Sequence, residues 1–279
     1  VTTAIKPADL DLTPLSGKQT GNELPKLVGL MQRLLGPQGC PWDRKQTLET
    51  LLPYVVEETF EVVDAVNSGS IPDHCEELGD LLLQVVFQAE LRSSEQAFGI
   101  DDVILGIVNK LIRRHPHVFG DVVATNSDEA MESWAKLKAE EKAKNGKTGA
   151  LDGIPRSAPA LVRAMRAGEK AGAVGFDWPD ATGARAKVNE EMRELDEAIT
   201  KHDRVALKHE LGDLLLAVVN LARKLDLDAE NALREATDRF GRRFGFVEET
   251  LAAKGRTVKE ASPEEQNQLW DEAKRRGIT

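Results

Sequence analysis

Carboxylates at helical spacing are the side chains in this sequence best suited to chemistry. In the segment ELGDLLLQVVF (77–87), Glu77, Asp80 and Gln84 stand at i, i+3 and i+7, which places them on one face of a helix. Just upstream, Glu58 and Glu61 are spaced i, i+3, and Glu57 and Glu61 are spaced i, i+4, so a second helix also gathers acids on one face. If the two helices pack antiparallel, four or five carboxylates converge. Two carboxylates about 5 Å apart repel by roughly 3 kcal/mol at an effective dielectric near 20. Such a cluster calls for a divalent cation, and hard oxygen ligands without histidine point to Mg²⁺ or Mn²⁺. The spacing is Glu-x-x-Asp, not the Glu-x-x-His of di-iron bundles, and neither His74 nor His209 stands at that spacing.

One Glu-x-x-Asp pair alone reads as a solvated helix face. Here the pattern recurs. Residues 57–86 (EETFEVVDAVNSGSIPDHCEELGDLLLQVV) match 190–219 (EEMRELDEAITKHDRVALKHELGDLLLAVV) without a gap, at a constant offset of 133 positions. Glu57, Glu58 and Glu61 correspond to Glu190, Glu191 and Glu194, and Glu77 and Asp80 correspond to Glu210 and Asp213, with Ala217 in place of Gln84. Leu27, Val28 and Met31 parallel Leu161, Val162 and Met165, while Lys110, Arg113 and Arg114 parallel Arg239, Arg242 and Arg243. The tryptophans pair as well, Trp42 with Trp178 and Trp134 with Trp270. The helix carrying Glu77 and Asp80 is apolar in almost every other direction, which marks it as a central core helix whose acids need partners.

The remaining polar and aromatic residues have plain structural readings. Arg113, Arg114, Arg242 and Arg243 suit helix ends, where cations favour the dipole. Trp42 and Trp178 read as core or loop anchors. Trp134 and Trp270, each followed four residues on by a lysine (Lys138 and Lys274), suit packing as well as base stacking. His115 and His117 flank Pro116 and read as a turn.

The elements that must hold these residues are helices. The apolar period is helical in both repeats and predicts helices over 24–35, 48–67, 72–93, 100–114 and 128–142, then 159–171, 183–201, 205–225, 228–251 and 263–275. Asp101 before Val103 serves as a start signal, and Ser262-Pro263-Glu264-Glu265 is a cap with proline in the first turn. Gly79 and Gly212 cost about 1 kcal/mol each inside these helices relative to Ala, so close approach of a neighbouring helix is expected there. Aromatic residues are only 5% and charged residues 30% of the 279, which favours helices over strands. The expected class is all-α: two homologous helical-bundle domains, 23–144 and 159–279, joined by a Gly/Pro/Ser-bearing linker at 145–158 and preceded by a loose tail, 1–22.

The charge balance excludes some functions. With 37 Lys plus Arg against 47 Asp plus Glu the net charge is -10, the wrong sign for coating a nucleic-acid backbone. Cys40 and Cys75 cannot form a disulfide framework and belong to no zinc pattern. No stretch reads as a signal peptide or membrane span, so a cytoplasmic protein is expected.

The pattern Glu-Glu-x-x-Glu followed by Glu-x-x-Asp resembles the MazG family of nucleoside triphosphate pyrophosphohydrolases. Supporting segments run in order through both repeats: GCPWD (39–43), EETFE (57–61), EELGDLL (76–82), RRHPHVFG (113–120), VGFDW (174–178), EEMRE (190–194), HELGDLLLAVVNLAR (209–223) and RFGRRF (239–244). The resemblance implies an all-α, Mg²⁺-dependent enzyme, usually dimeric, that hydrolyses NTPs and dNTPs to monophosphate and pyrophosphate. It implies Glu191, Glu194, Glu210 and Asp213 as metal ligands and Glu190 as the residue that orients the attacking water. Arg239 and Arg243 would contact phosphate, and Trp270 the nucleotide, with Lys274 beside it. Arg239 stands where the family often has lysine, which keeps the charge and changes the geometry. The first repeat retains Glu58, Glu61, Glu77 and Asp80 and so keeps a metal-binding set. The family usually assigns cleavage to the second repeat. The alternative from another class is a metal-stabilised helical scaffold or nucleotide sensor that binds without turnover.

Overall fold

The computed structural model describes residues 12–13, 20–144 and 149–278. Most of the expected tail and the start of the expected linker, 145–148, lie outside the described residues. The described residues contain helices and no strands. The chain divides into two compact units, Val1–Glu141 and Lys142–Thr279.

The first unit is built on a helical hairpin. Helix α1 spans Leu24–Leu35, α2 spans Leu48–Ser68 and α3 spans Ile71–Ser94. Thr47 and Thr50 cap α2 reciprocally, each hydroxyl accepting from the other's backbone N–H at 3.3 and 2.8 Å. Gly69 ends α2 in the left-handed region (φ 74°), and Ser70 caps α3, so the chain reverses within two residues and α3 packs along α2. Met31, Leu51, Val86 and Phe87 form the buried core, with Tyr54 and Leu83 packed against it. Beyond α3 come α4 (Ile100–Arg114), a single turn α5 (Pro116–Phe119) and α6 (Ser127–Lys144). The start of α4 is set by Gly99, whose N–H donates to Asp102 at 2.8 Å; Asp101 lies in the first turn and does not cap. Where a turn was expected around Pro116, the chain makes a single helical turn, Pro116–Phe119, with His115 as its non-helical cap, because proline is pre-organised for a first helical position.

The second unit repeats the plan. Helix α7 spans Ala160–Gly172, α8 spans Ala181–Lys201 and α9 spans Arg204–Lys224. His202 takes the left-handed conformation (φ 53°), and Asp203 accepts from the N–H groups of Val205 and Ala206 at 2.9 and 3.1 Å. Helix α10 (Ala229–Ala252) packs with α11 (Pro263–Arg275) around Val247, Leu251, Ala261 and Leu269. The expected Ser262 cap is present, accepting from the Glu265 N–H at 3.2 Å.

Two expectations are corrected. Helices α3 and α9 are not buried all round: Leu78, Leu82 and Val85 on one, and the equivalent Leu211, Leu215 and Val218 on the other, are exposed. Too few helices surround each hairpin to cover a helix that is apolar on every side. Nor does any neighbour approach Gly79 or Gly212, since a Cβ at either would meet open space.

Candidate metal and nucleotide site

In the first unit the α2–α3 hairpin brings Glu58, Glu77 and Asp80 together, with carboxylate oxygens within 4.8 Å of one another. Burial, then the charges of Asp80, Glu61 and Glu77, push the Glu58 carboxyl above the usual range. Burial, then Glu61 and Asp80, do the same to Glu77. Glu61 therefore acts on the cluster although it lies outside the tight group. Gln84, one turn beyond Asp80, is buried, and its Oε1 has no hydrogen-bond partner. Mutually repelling carboxylates are a donor set that fits a hard cation.

The second unit distributes the same acids differently. Glu190, Glu191 and Glu194 form one group on α8, and Glu210 and Asp213 form another on α9 with His209. Glu191 is buried, its side chain only 4% exposed, and Lys187 Nζ lies 2.5 Å from Glu191 Oε1 and 2.8 Å from Glu190 Oε1. These bonds hold the Lys187 ammonium protonated well above its usual range and pull the Glu190 carboxyl down. His209 Nδ1 stands 3.1 Å from Asp213 Oδ2 and 3.9 Å from Glu210 Oε1, so the histidine set aside on spacing is a neighbour of both acids. One member of each group, Glu191 and Asp213, borders a cavity of about 300 Å³ together with Trp178, Lys187, Leu216, Ala217 and Asn220, whereas Glu190, Glu194 and Glu210 are not among its lining residues.

Sequence reasoning missed Lys187. Its signal was available, since it precedes Glu190 and Glu191 by three and four residues on one helix. It escaped notice because the equivalent position in the first repeat is Tyr54.

The basic and aromatic residues gather elsewhere. Arg239 and Arg243 lie on α10, and Trp270 and Lys274 on α11; none of them lines the cavity at Glu191 and Asp213. Arg243 donates its Nε–H to the Ile278 carbonyl at 2.8 Å. Trp270 packs on Phe240, ring centroids 5.2 Å apart, and against the α10–α11 core. Lys274 pairs with Asp271 at 3.1 Å. In the first unit, Arg113 and Arg114 bind Glu141 of α6 at 2.5 and 2.6 Å, which pulls the Glu141 carboxyl down. Lys138 and Arg114 both sit over the Trp134 ring, at 4.5 and 5.4 Å. Trp42 is exposed and edge-on to Tyr54, ring centroids 6.1 Å apart.

Comparison with known proteins agrees with this repeated architecture. A family model described as the MazG nucleotide pyrophosphohydrolase domain matches twice, at residues 46–119 and 181–245. The nucleoside triphosphate pyrophosphohydrolase of Escherichia coli strain K12 is 44% identical over 262 residues, covering 92% of this chain and 99% of that protein. The nucleoside triphosphate pyrophosphohydrolase/pyrophosphatase MazG of Thermotoga maritima is 44% identical over 257 residues, covering 92% and 98%. A crystal structure of a mazG-related protein from Thermotoga maritima aligns at 28% identity with 41% of this chain and 97% of its own, with a TM-score of 0.37.

Proposed function

From the premise that this chain belongs to the MazG nucleotide pyrophosphohydrolase family, we propose that it is a Mg²⁺-dependent hydrolase of acid anhydrides. It cleaves NTPs and dNTPs to the monophosphate and pyrophosphate. The observation that carries this reading is the pair Glu191 and Asp213 bordering one cavity beside a protonated lysine. A buried carboxylate costs several kcal/mol unless it is paired or binds a cation, and Lys187 fills the first of those roles when no metal is bound.

Glu191, Glu194, Glu210 and Asp213 would hold Mg²⁺, or Mn²⁺ in its place. The bound cation would neutralise phosphate charge and activate water. Glu190 lies at the edge of the same group, and its carboxylate, kept ionised by Lys187, can accept a proton from a water and orient it. Lys187, whose Nζ reaches both Glu190 and Glu191, would donate to a phosphate oxygen. Arg239, Arg243, Trp270 and Lys274 would contact the substrate, and Arg243 uses its Nε–H on the Ile278 carbonyl, leaving its terminal nitrogens for an anion.

The main activity is assigned to the second domain, 159–279, reached through the linker 145–158. There Glu191 and Asp213 border a cavity with a basic residue, whereas the first domain, 23–144, has Tyr54 at that position. The two-fold repeat of an exposed apolar strip on α3 and α9, each strip beside an exposed glycine, supports self-association as a homodimer. A cytoplasmic setting, where nucleotides are made and consumed, suits the two free cysteines. No helix among the described residues is long and apolar enough to cross a membrane.

The test is pyrophosphate release from a panel of NTPs and dNTPs with Mg²⁺. Monophosphate and pyrophosphate in equal amounts are expected. Diphosphate with orthophosphate would overturn the reaction, full activity in excess EDTA would overturn the metal, and binding without turnover would favour a sensor.

A further inference from the structure

We propose that the first unit holds an oxyanion site for a polyphosphate group, formed by Arg113 and Arg114 at the end of α4, and that Glu141 of α6 occupies this site from within the chain. The proposal rests on the pyrophosphohydrolase reading in one respect, that the equivalent residues of α10 and α11 in the second unit meet the substrate. It adds what keeps the first repeat from doing the same.

The site already holds an oxyanion, the Glu141 carboxylate. Glu141 Oε1 accepts from Arg113 Nε at 2.5 Å, and Oε2 accepts from Arg114 Nε and Nη2 at 3.1 and 2.6 Å. An arginine fork matches carboxylate and phosphate oxygens alike. Two guanidinium groups share this one carboxylate, so Glu141 cancels only half of their charge, and a group with more oxygens and more charge is matched better. The contact is sheltered, since the side chains of Arg114 and Glu141 are 17% and 18% exposed. The Arg114 guanidinium and the Lys138 ammonium also lie over the Trp134 ring, so cations cover the face of that indole.

The second unit lacks the occupant. Arg114 corresponds to Arg243 at an offset of 129, and Trp134, Lys138 and Glu141 correspond to Trp270, Lys274 and Gly277 at an offset of 136. Where Arg114 meets a carboxylate, Arg243 Nε donates to the neutral carbonyl of Ile278 at 2.8 Å. Gly277 stands just past α11 in the left-handed region (φ 70°), so its position carries a chain reversal and no side chain. Trp270 packs on Phe240, whose counterpart in the first unit is Leu111, and no cation is needed to cover it. The guanidinium is thus capped by an acid in one repeat and not in the other. A tethered competitor is hard to displace: a short flexible tether alone gives an effective concentration on the order of millimolar, and Glu141 is held on a helix with its partners in reach. Free polyphosphate at micromolar concentration should therefore leave it in place.

The experiment counts sites by calorimetric titration of the full-length protein, in Mg²⁺, with the methylene-bridged analogue of inorganic tripolyphosphate, which resists hydrolysis. We expect one equivalent per chain in wild type and two in Glu141→Ala, with the added equivalent lost again in Glu141→Ala/Arg114→Ala. If Glu141→Ala does not fold, Glu141→Gln, which keeps the side-chain volume and deletes the charge, takes its place in both proteins. Equal stoichiometry in wild type and the folded variant overturns the proposal, including the case of a lowered Tm with no added site, which is what a bridge that merely anchors α6 would give. An added site that survives Arg114→Ala overturns it as well. A wild type that binds none would instead count against the pyrophosphohydrolase reading of the second unit; Glu141→Ala should then bind one equivalent, and none would overturn the proposal.

Discussion

Lys187→Met isolates the link between charge and metal in the second unit. The substitution keeps the length of the side chain and deletes the ammonium 2.5 Å from Glu191. Removing one member of a fully buried ion pair costs about 3–5 kcal/mol, because the other charge stays buried without a partner. Glu191 is buried, but Lys187 is 39% exposed, so water recovers part of that cost and about 1–3 kcal/mol should remain. At roughly 4 °C per kcal/mol for a unit of this size, the metal-free Tm should fall by about 4–12 °C. Saturating Mg²⁺ supplies a replacement charge at Glu191, so the deficit should shrink, and the Mg²⁺-induced rise in Tm should be larger in the variant than in wild type. Lys187→Arg, which keeps the charge, should show neither effect at full size. Thermal unfolding followed by circular dichroism in EDTA and in Mg²⁺ reads the difference. Deficits of equal size in the two conditions would show that Glu191 meets no cation and would refute the reasoning.

Asp213→Ala in metal-free protein removes a charge that stands beside Glu210 and is paired with an exposed histidine, so its Tm should match or exceed wild type, and its gain with Mg²⁺ should be smaller; an identical gain by calorimetric melting would remove Asp213 from the ligand set. Glu210→Gln should lower kcat about a hundredfold or more, and Glu77→Gln much less; pyrophosphate-release kinetics showing a larger loss at Glu77 would reverse the assignment of the working repeat. Asp177 is held well below the usual carboxylate range, chiefly by the Arg223 hydrogen bonds. A depressed folded value means stability that is present above about pH 4 and lost as pH falls below it, so Asp177→Asn should lower Tm at pH 7 and flatten the acid decline, and parallel Tm curves would exclude the pair. Leu215→Asp places a charge on the exposed strip of α9 and should shift the protein toward monomer in sedimentation at constant fold; unchanged association would clear that strip of a dimer role.

Much of the fold was legible because its determinants are local. Helix ends follow caps that act within three or four residues, as at Thr47, Asp203 and Ser262. The observed boundaries fall within two residues of the periodicity at every long helix, Leu24–Leu35 and Pro263–Arg275 among them. The acid sets were legible for the same reason, since i, i+3 and i+4 spacing places side chains on one face whatever surrounds the helix.

What the tertiary structure decided was which faces meet. Periodicity shows that α3 and α9 are apolar on nearly all sides, but only the number of neighbouring helices determines that Leu82 and Leu215 stay exposed. Two glycines expected at close approaches, Gly79 and Gly212, face open space, while Gly168 and Gly183 admit Asn220 and Trp178. The gathering of His209 with Asp213 depends on rotamers that spacing alone does not set. The cavity at Glu191 likewise arises from tertiary contacts, because it is bordered by side chains from three segments, Trp178, Lys187 and Asp213 among them. A sequence encodes each helix through contacts a few residues long; a site between helices depends on how they fit together, and that fit is settled by the volumes of residues far apart in the chain.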